Sequence, residues 1–234
     1  MDGTLTRTSP SPRDRVEGLL DALRGRLPYA AALVTAHDPK VGRHVTVSNR
    51  GYPGEVVDYV LDTYIPCDPS FRLAMAHPEE VLHWDTLPHF RRGAMAREYL
   101  LPSGYRQGSS LVLGDRSGRP VGTLHVSLHE ELVDAGTVDL LGSARRTAVP
   151  LVAAENARLG TSLSARELEV LRHMCAGRGN AEIAAELWVT RRTVATHVEH
   201  ILRKMGAGNR VQAAVRAIAL GLVSPYEEFE LDQA

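Results

Sequence analysis

Through residues 163–220, apolar side chains return every three or four positions, the period of helices that each bury one face. Leu168, Leu171, Met174 and Cys175 form the inward side of a first helix; Ser164 with Glu167 is a capping-box pair at its start, and Gly177 is the left-handed residue that stops it. A second helix opens near Asn180, with Glu182 in its first turn and Ile183, Ala184 and Leu187 inward. Leu187-Trp188-Val189 then turns the chain, and Thr190 is placed to cap a third helix striped by Val194, Val198, Ile201, Leu202 and Met205. A last helix from about Asn209 is read with Val211, Ala214, Val215 and Ile218 inward and Gly221 as its stop. Residues 13–158 carry shorter, mixed periods. They predict helices near 16–23, 54–63, 68–76, 94–100 and 133–157, with strands near 30–35, 44–49, 81–84, 108–113 and 121–128. The turn at 114–120 between the last two strands is a hairpin signal.

The fold class that follows is α+β: an N-terminal α/β/α sandwich around an antiparallel sheet, then an all-α four-helix domain. The expected divisions are a disordered N-terminus at 1–12, a first domain at 13–158, a linker at 159–162, the helical domain at 163–223 and an acidic tail at 224–234. A length of 234 residues accommodates two domains, and 44% apolar content is that of an ordinary globule.

Charge sharpens the division. The chain carries −1 overall, yet residues 161–220 hold nine Arg and Lys against five Glu, a local net of +4. A basic module inside a near-neutral protein suits phosphate contact under control, whereas a uniformly basic chain suits indiscriminate binding. The polar face of the third helix supplies the candidates: Arg191, Arg192, Thr193, Ala195, Thr196, Glu199 and His200 lie where a major groove would meet them, and Arg203, Lys204 and Arg210 follow as phosphate contacts. Ala213, Ala217 and Leu220 are read as a small-residue face of the last helix, suited to two-fold packing of two such domains.

On these caps, glycines and spacings, residues 163–223 resemble the C-terminal helix-turn-helix domain of the LuxR family of bacterial transcription regulators, with the helix-turn-helix at about 180–204. The resemblance implies double-stranded DNA and a second copy of the chain as partners, and a contact with RNA polymerase. Ala195 and Glu199 stand where members of the family often have Lys or Arg. Glu199 is open to two readings, an acceptor for a cytosine amino group or a solvated charge.

The N-terminal half is similar to the sensory half of the same family, in its autoinducer-binding or GAF/PAS-like form, through Tyr59, Asp68-Pro69, Trp84, Gly104-Tyr105 and Gly108. That resemblance implies a small-molecule ligand, with Asp68 accepting a hydrogen bond from it and Tyr59 and Trp84 walling its pocket. Glu55 stands where the family has a tryptophan. The other reading of the same residues makes Tyr59 and Trp84 core aromatics and Asp68 a cap before Pro69, leaving a half that only dimerises or binds another protein.

Several classes fall away. A phosphorylation-controlled receiver domain requires a late lysine, and the lysines here are Lys40 and Lys204. No Gly-rich phosphate loop, nucleophile elbow or HExxH segment marks an enzyme, so no catalytic residue is assigned. His77, His83, His89, His125 and His129 make no tight ligand cluster, even with Cys67 nearby, so no metal or cofactor is expected. No apolar run reaches the ~20 residues of a membrane span. The polar start and the two separated cysteines, Cys67 and Cys175, predict a cytoplasmic protein without a disulfide.

Overall fold

The computed structural model describes residues 10–115 and 117–223; the expected disordered start through residue 9 and the acidic tail lie outside them. The chain divides into two compact units, with residues 13–156 forming the first and residues from 157 onward the core of the second.

The first unit is built on a four-stranded antiparallel sheet ordered β2-β1-β4-β3, from β1 (Ala31–Asp38), β2 (Arg43–Arg50), β3 (Gln107–Gly114) and β4 (Pro120–Leu128). Because side chains alternate across a strand, the register decides each face. Leu33 opposite His125 and Ser110 opposite His125 put Leu33, Thr35, Ser110, Val112, Thr123, His125 and Ser127 on one side. Ala32, Val34, Ala36, Leu111, Leu113, Leu124 and Val126 take the other, which is apolar and buried.

That apolar side belongs with α1 (Pro12–Arg24) and α5 (Ala135–Gly160). Arg13 Nε joins Glu155 at 3.0 Å, which supplies the buried carboxylate with a counter-charge. Gly122 of β4 sits directly against α5, since a Cβ there would stand 2.6 Å from Val152 Cγ1 and closer still to the Thr35 carbonyl.

The polar side is roofed by the connection between β2 and β3. α2 (Gly54–Tyr59) runs on through a π-helical turn (Val60–Tyr64) into α3 (Ile65–Cys67), and α4 (Pro69–Ala76) follows at once; a second π-helical segment spans Met95–Leu100. Tyr52, Val56, Val60, Tyr64, Phe71, Trp84, Phe90, Met95 and Leu100 close this layer into a core with Ala31, Leu33 and Val112. The α/β/α sandwich is the architecture expected. Two local readings need correction. The strand expected at 81–84 is reduced to a single bridge, His83 to Ser109, because a turn claims the His83 backbone: its N–H goes to Thr86 Oγ1 and its carbonyl accepts from the N–H groups of Thr86 and Leu87. The long helix also continues to Gly160, into the stretch read as a linker.

The second unit contains α6 (Ala165–Cys175), α7 (Asn180–Glu186), α8 (Arg191–Met205) and α9 (Arg210–Ala219). Ser164, Thr190 and Asn209 each cap the following helix by accepting from a backbone N–H, and Gly177, Gly206 and Gly221 adopt positive φ where the chain leaves a helix. Val170, Leu171, Met174, Ile183, Ala184, Val194, Ile201 and Met205 fill the core. On α9 the inward side differs from expectation. Ala213 and Ala217 are completely buried, while Val211 and Val215 are 67% and 62% exposed. Only a small side chain fits where α9 lies against α6, whose Cys175 Sγ approaches the Ala214 carbonyl at 3.9 Å, so size overrides hydrophobicity in choosing the face.

Two glycines of the first unit test this packing in opposite directions. Gly122→Ala drives a methyl into Val152 and the β1 backbone and should cost about 1–3 kcal/mol or more. Gly18→Ala, in α1 with nothing within 4 Å of the new methyl, should gain about 0.5–1 kcal/mol. Urea denaturation of the two variants beside the parent reads both signs.

Candidate functional site

In the C-terminal unit the site is assembled by a buried carboxylate. Glu167 closes the capping box of α6, its Oε2 accepting from Ser164 N at 2.7 Å while Ser164 Oγ accepts from Glu167 N at 3.2 Å. The same Oε2 takes Lys204 Nζ from the last turn of α8 at 2.6 Å, and His200 Nδ1 stands 3.8 Å from Oε1. Burial opposes the Glu167 charge, but Lys204 and the Ser164 hydrogen bonds override it and hold the carboxyl at about 2. One carboxylate thereby ties the start of α6 to the end of α8.

With its inner side fixed, α8 presents Arg192, Thr196, Glu199 and Arg203 at successive spacings of four, three and four, all exposed. Arg191 is exposed beside them, while Thr193, Ala195 and His200 are half-buried. Thr196 Oγ1 donates to the Arg192 carbonyl at 3.1 Å, and Thr193 Oγ1 pairs with Thr190 Oγ1 at 2.9 Å within the cap. Among the described residues, the guanidinium groups of Arg191, Arg192 and Arg203 have no hydrogen-bond or ion-pair partner. The other two basic candidates are already engaged: Lys204 with Glu167, and Arg210 with the carbonyl of Arg178. Each has further N–H donors, so part of its charge is spent inside the domain and the rest is open to a phosphate. The small-residue face of α9 is a correction: Ala213 and Ala217 lie inside the domain and Leu220 is half-buried, so the outward apolar residues of that helix are Val211 and Val215.

A residue passed over in the sequence as a mere turn also stands out. Trp188, between α7 and α8, is 94% exposed with φ of 54°. A left-handed conformation costs such a residue about 1–2 kcal/mol, and the Val189 N–H to Ala184 carbonyl bond of 3.0 Å closes the turn around it.

In the N-terminal unit the three candidates separate. Trp84 is buried and borders a small cavity over the polar side of the sheet. Tyr59 is instead stacked on Tyr99, centroids 4.1 Å apart, and Asp68 caps α4 by accepting from Ser70 N at 2.8 Å. Neither reaches the cavity. Its walls are Tyr52, Tyr64, Ser110, His125 and Ser127 with Val60, Phe90, Met95 and Leu100, and its volume of about 20 Å³ holds roughly one water. The unread signal lay in β4, where Thr123, His125 and Ser127 put polar groups on every second position of a buried strand.

Those groups form a continuous chain. Tyr64 O–H donates to Ser110 Oγ (3.3 Å), Ser110 Oγ meets His125 Nδ1 (2.9 Å), and His125 Nε2 meets Thr123 Oγ1 (2.8 Å). Thr123 Oγ1 lies 2.6 Å from Thr35 Oγ1, which meets His44 Nδ1 at 2.8 Å. Burial, with a smaller push from His44, lowers His125 to about 3; burial and the nearby His37 lower His44 to about 4. Burial raises the phenols of Tyr52 and Tyr64. The whole chain is uncharged at neutral pH. Among the described residues no group of three or more His, Cys, Asp or Glu could hold a metal, and no helix is long and apolar enough to cross a membrane.

Residues 161–217 match the model of the luxR family of bacterial regulatory proteins. The chain is 38% identical over 121 residues to YxjL, an uncharacterized transcriptional regulatory protein of Bacillus subtilis (strain 168), covering 47% of this chain and 56% of the relative. It thus spans little more than half of that relative's length. It is 27% identical over 174 residues to the transcriptional activator protein AnoR of Acinetobacter nosocomialis, covering 70% of this chain and 73% of that one. Among solved structures, Escherichia coli SdiA is similar, with a TM-score of 0.46, 22% identity and coverage of 91% of this chain and 92% of that chain. The C-terminal segment is a luxR-family helix-turn-helix domain.

The titrations give the two units distinct acid limbs. His44 and His125 bind protons in the unfolded chain near their ordinary 6.5 but not in the folded one, so the N-terminal unit should lose stability as pH falls from about 6.5 toward 3. Glu167 stabilises fully above its ordinary 4.5, and that contribution, on the order of 3 kcal/mol, should fade as pH falls toward 2. Denaturation midpoints against pH should show the first limb flattened in His125→Gln and the second in Glu167→Gln.

Proposed function

We propose that this chain, with its luxR-family domain at 161–217, is a DNA-binding transcription regulator that sets α8 into a major groove and whose activity is controlled by a small molecule in the N-terminal unit. The observation that carries the first part is the outward row Arg192, Thr196, Glu199 and Arg203 on a helix capped at one end and pinned at the other. Arg191, Arg192 and Arg203 are placed to neutralise phosphates without first breaking internal bonds. Thr196, Glu199 and the half-buried Ala195 are the groups closest to base edges, with Thr193 and His200 at the margins of that surface. Lys204 and Arg210 contribute to the local positive field while holding the domain together.

Binding as a homodimer is part of the same proposal. Val211 and Val215, four residues apart and outward on α9, form an apolar strip that a second copy would cover across a two-fold axis. Half-sites would then lie about one helical turn apart. A second reading of the N-terminal unit is favoured by one observation, the closure of its cavity to about 20 Å³. On that reading the unit binds no ligand and serves dimerisation alone.

Removing a phosphate contact lowers the slope of log affinity against log salt by about 0.9 per contact. Arg192→Ala and Arg203→Ala should each show that decrease in fluorescence-anisotropy titrations, with an unchanged melting temperature. Lys204→Ala should instead lower the melting temperature by stranding the buried Glu167. Val215→Glu should weaken cooperative binding to a paired site while leaving binding to one half-site nearly intact. Native mass measurement of freshly purified protein separates the two readings of the N-terminal unit: a retained small molecule supports the sensor, and a bare dimer supports the dimerisation module.

A further inference from the structure

Residues 161–223 hold five carboxylates, and four of them are engaged inside the domain. Glu167 accepts from Ser164 N and Lys204 Nζ, Glu169 Oε2 pairs with Arg166 Nη1 at 2.7 Å, Glu182 Oε2 accepts from Gly179 N at 2.6 Å, and Glu186 pairs with Arg178. The fifth, Glu199, is exposed and has no hydrogen-bond or ion-pair partner among the described residues. A partner stands at the right spacing. On an exposed helix face a Glu four residues before an Arg is the favourable order for an ion pair, yet Glu199 and Arg203 stay apart. The unspent carboxylate is therefore the one set in the outward row of α8, between Thr196 and Arg203.

On a surface that meets DNA, a carboxylate opposes binding through the phosphates unless it makes a bond of its own. Ionised, it accepts hydrogen bonds and donates none. Of the four bases only cytosine and adenine present a donor to the major groove, each an exocyclic amino group; guanine presents N7 and O6, and thymine O4 and a methyl. In adenine the acceptor N7 lies next to the amino group, which suits an amide with a proton to give and leaves a carboxylate facing a lone pair. Cytosine carries no acceptor beside its amino group on that edge, so it is the base that matches. The neighbours one turn earlier, Ala195 and Thr196, are short, and the Thr196 hydroxyl is turned to the Arg192 carbonyl at 3.1 Å, so neither extends as far as Glu199.

We infer that Glu199 is the residue of α8 that selects cytosine, its carboxylate accepting from the N4 amino group of one cytosine in the major groove that each copy of the helix enters. This rests on the DNA-binding reading above and names a base in its target. Arg192 and Arg203, seven residues before and four after, flank the carboxylate with positive charge and offset its repulsion by the nearest phosphates. An internal pair of Glu199 with Arg203 would spend both groups. Unpaired, each keeps its own part of the duplex to meet, Arg203 the backbone and Glu199 the base edge.

The test is selection of binding sites from a pool of random duplexes by the full chain, run in parallel with Glu199→Gln and Glu199→Ala. Position 199 is exposed and makes no internal bond, so both variants should melt with the parent. The parent should enrich sites with cytosine at one fixed position of each half-site. Glu199→Gln should move that position to adenine, to whose N6 and N7 an amide bonds bidentately, and Glu199→Ala should lose the preference there while keeping it elsewhere. In titrations of the selected duplex, exchanging that C·G pair for T·A should weaken the parent about five- to hundredfold and Glu199→Ala less than about twofold. Identical base preferences in all three proteins overturn the inference, make Glu199 a solvated charge and leave the DNA-binding reading standing. A position that responds to the variants but holds a base other than cytosine in the parent overturns it too. No enrichment of any sequence by the parent overturns both the inference and the DNA-binding reading.

Discussion

A single carboxylate, shut away at 4% side-chain exposure, sets the geometry on which the C-terminal domain depends. Glu167 is a helix cap and the anchor of an ion pair at once. Deprived of Lys204 it would be a buried unpaired charge, and deprived of its own charge it would leave the Lys204 ammonium without its counter-charge and weaken the bond to the Ser164 N–H. The exposed row of α8 is therefore oriented by an interaction on the flank of the same helix. This is also why the basic residues of that helix are unequal, with Lys204 a fastening and Arg192 and Arg203 left open to solvent.

The N-terminal unit obeys an opposite constraint. Its sheet buries Thr35, Thr123, His125 and Ser127, with Ser110 half-buried beside them, where most sheets bury aliphatic groups. Every such hydroxyl and ring nitrogen is expensive unless bonded, and here they bond mainly to one another, which makes the network cooperative. A neutral network of this kind serves specificity more than stability, because an apolar core of the same volume would be at least as stable. Among the described residues that self-sufficiency ends at the buried hydroxyls of Ser48 and Ser109, which have no partner, and Ser109 lies on the cavity.

The helical domain was largely legible in the sequence because each helix announces itself twice, by a cap and by a 3.6-residue stripe. Ser164, Thr190, Gly177 and the Val194–Ile201–Met205 stripe all occupy the places their chemistry implies. Legibility failed where packing distance mattered more than hydrophobicity. On α9 the larger valines were read as core, yet the close approach to α6 admits only Ala213 and Ala217. The ion pair of Lys204 with Glu167 and the hydrogen bond of Arg210 to the Arg178 carbonyl join residues 37 and 32 positions apart, beyond the reach of any local pattern. In the N-terminal unit, spacing could suggest that Tyr59, Asp68 and Trp84 share a pocket. It could not show that a π-helical turn carries Tyr64 to the cavity or that Ser70 claims Asp68. The alternating polar positions of β4 were visible, but alternation is also what a strand with one face in water produces, and only the roof of helices distinguishes the two.

The central claim, that the outward row of α8 is the surface that meets DNA, is tested most directly by amide hydrogen exchange on the full chain with and without duplex DNA bound. The account predicts that protection on binding concentrates in residues 190–203, with little change in α6 or in the sheet of the N-terminal unit. Protection confined to other elements, with 190–203 exchanging as in the free protein, would contradict it.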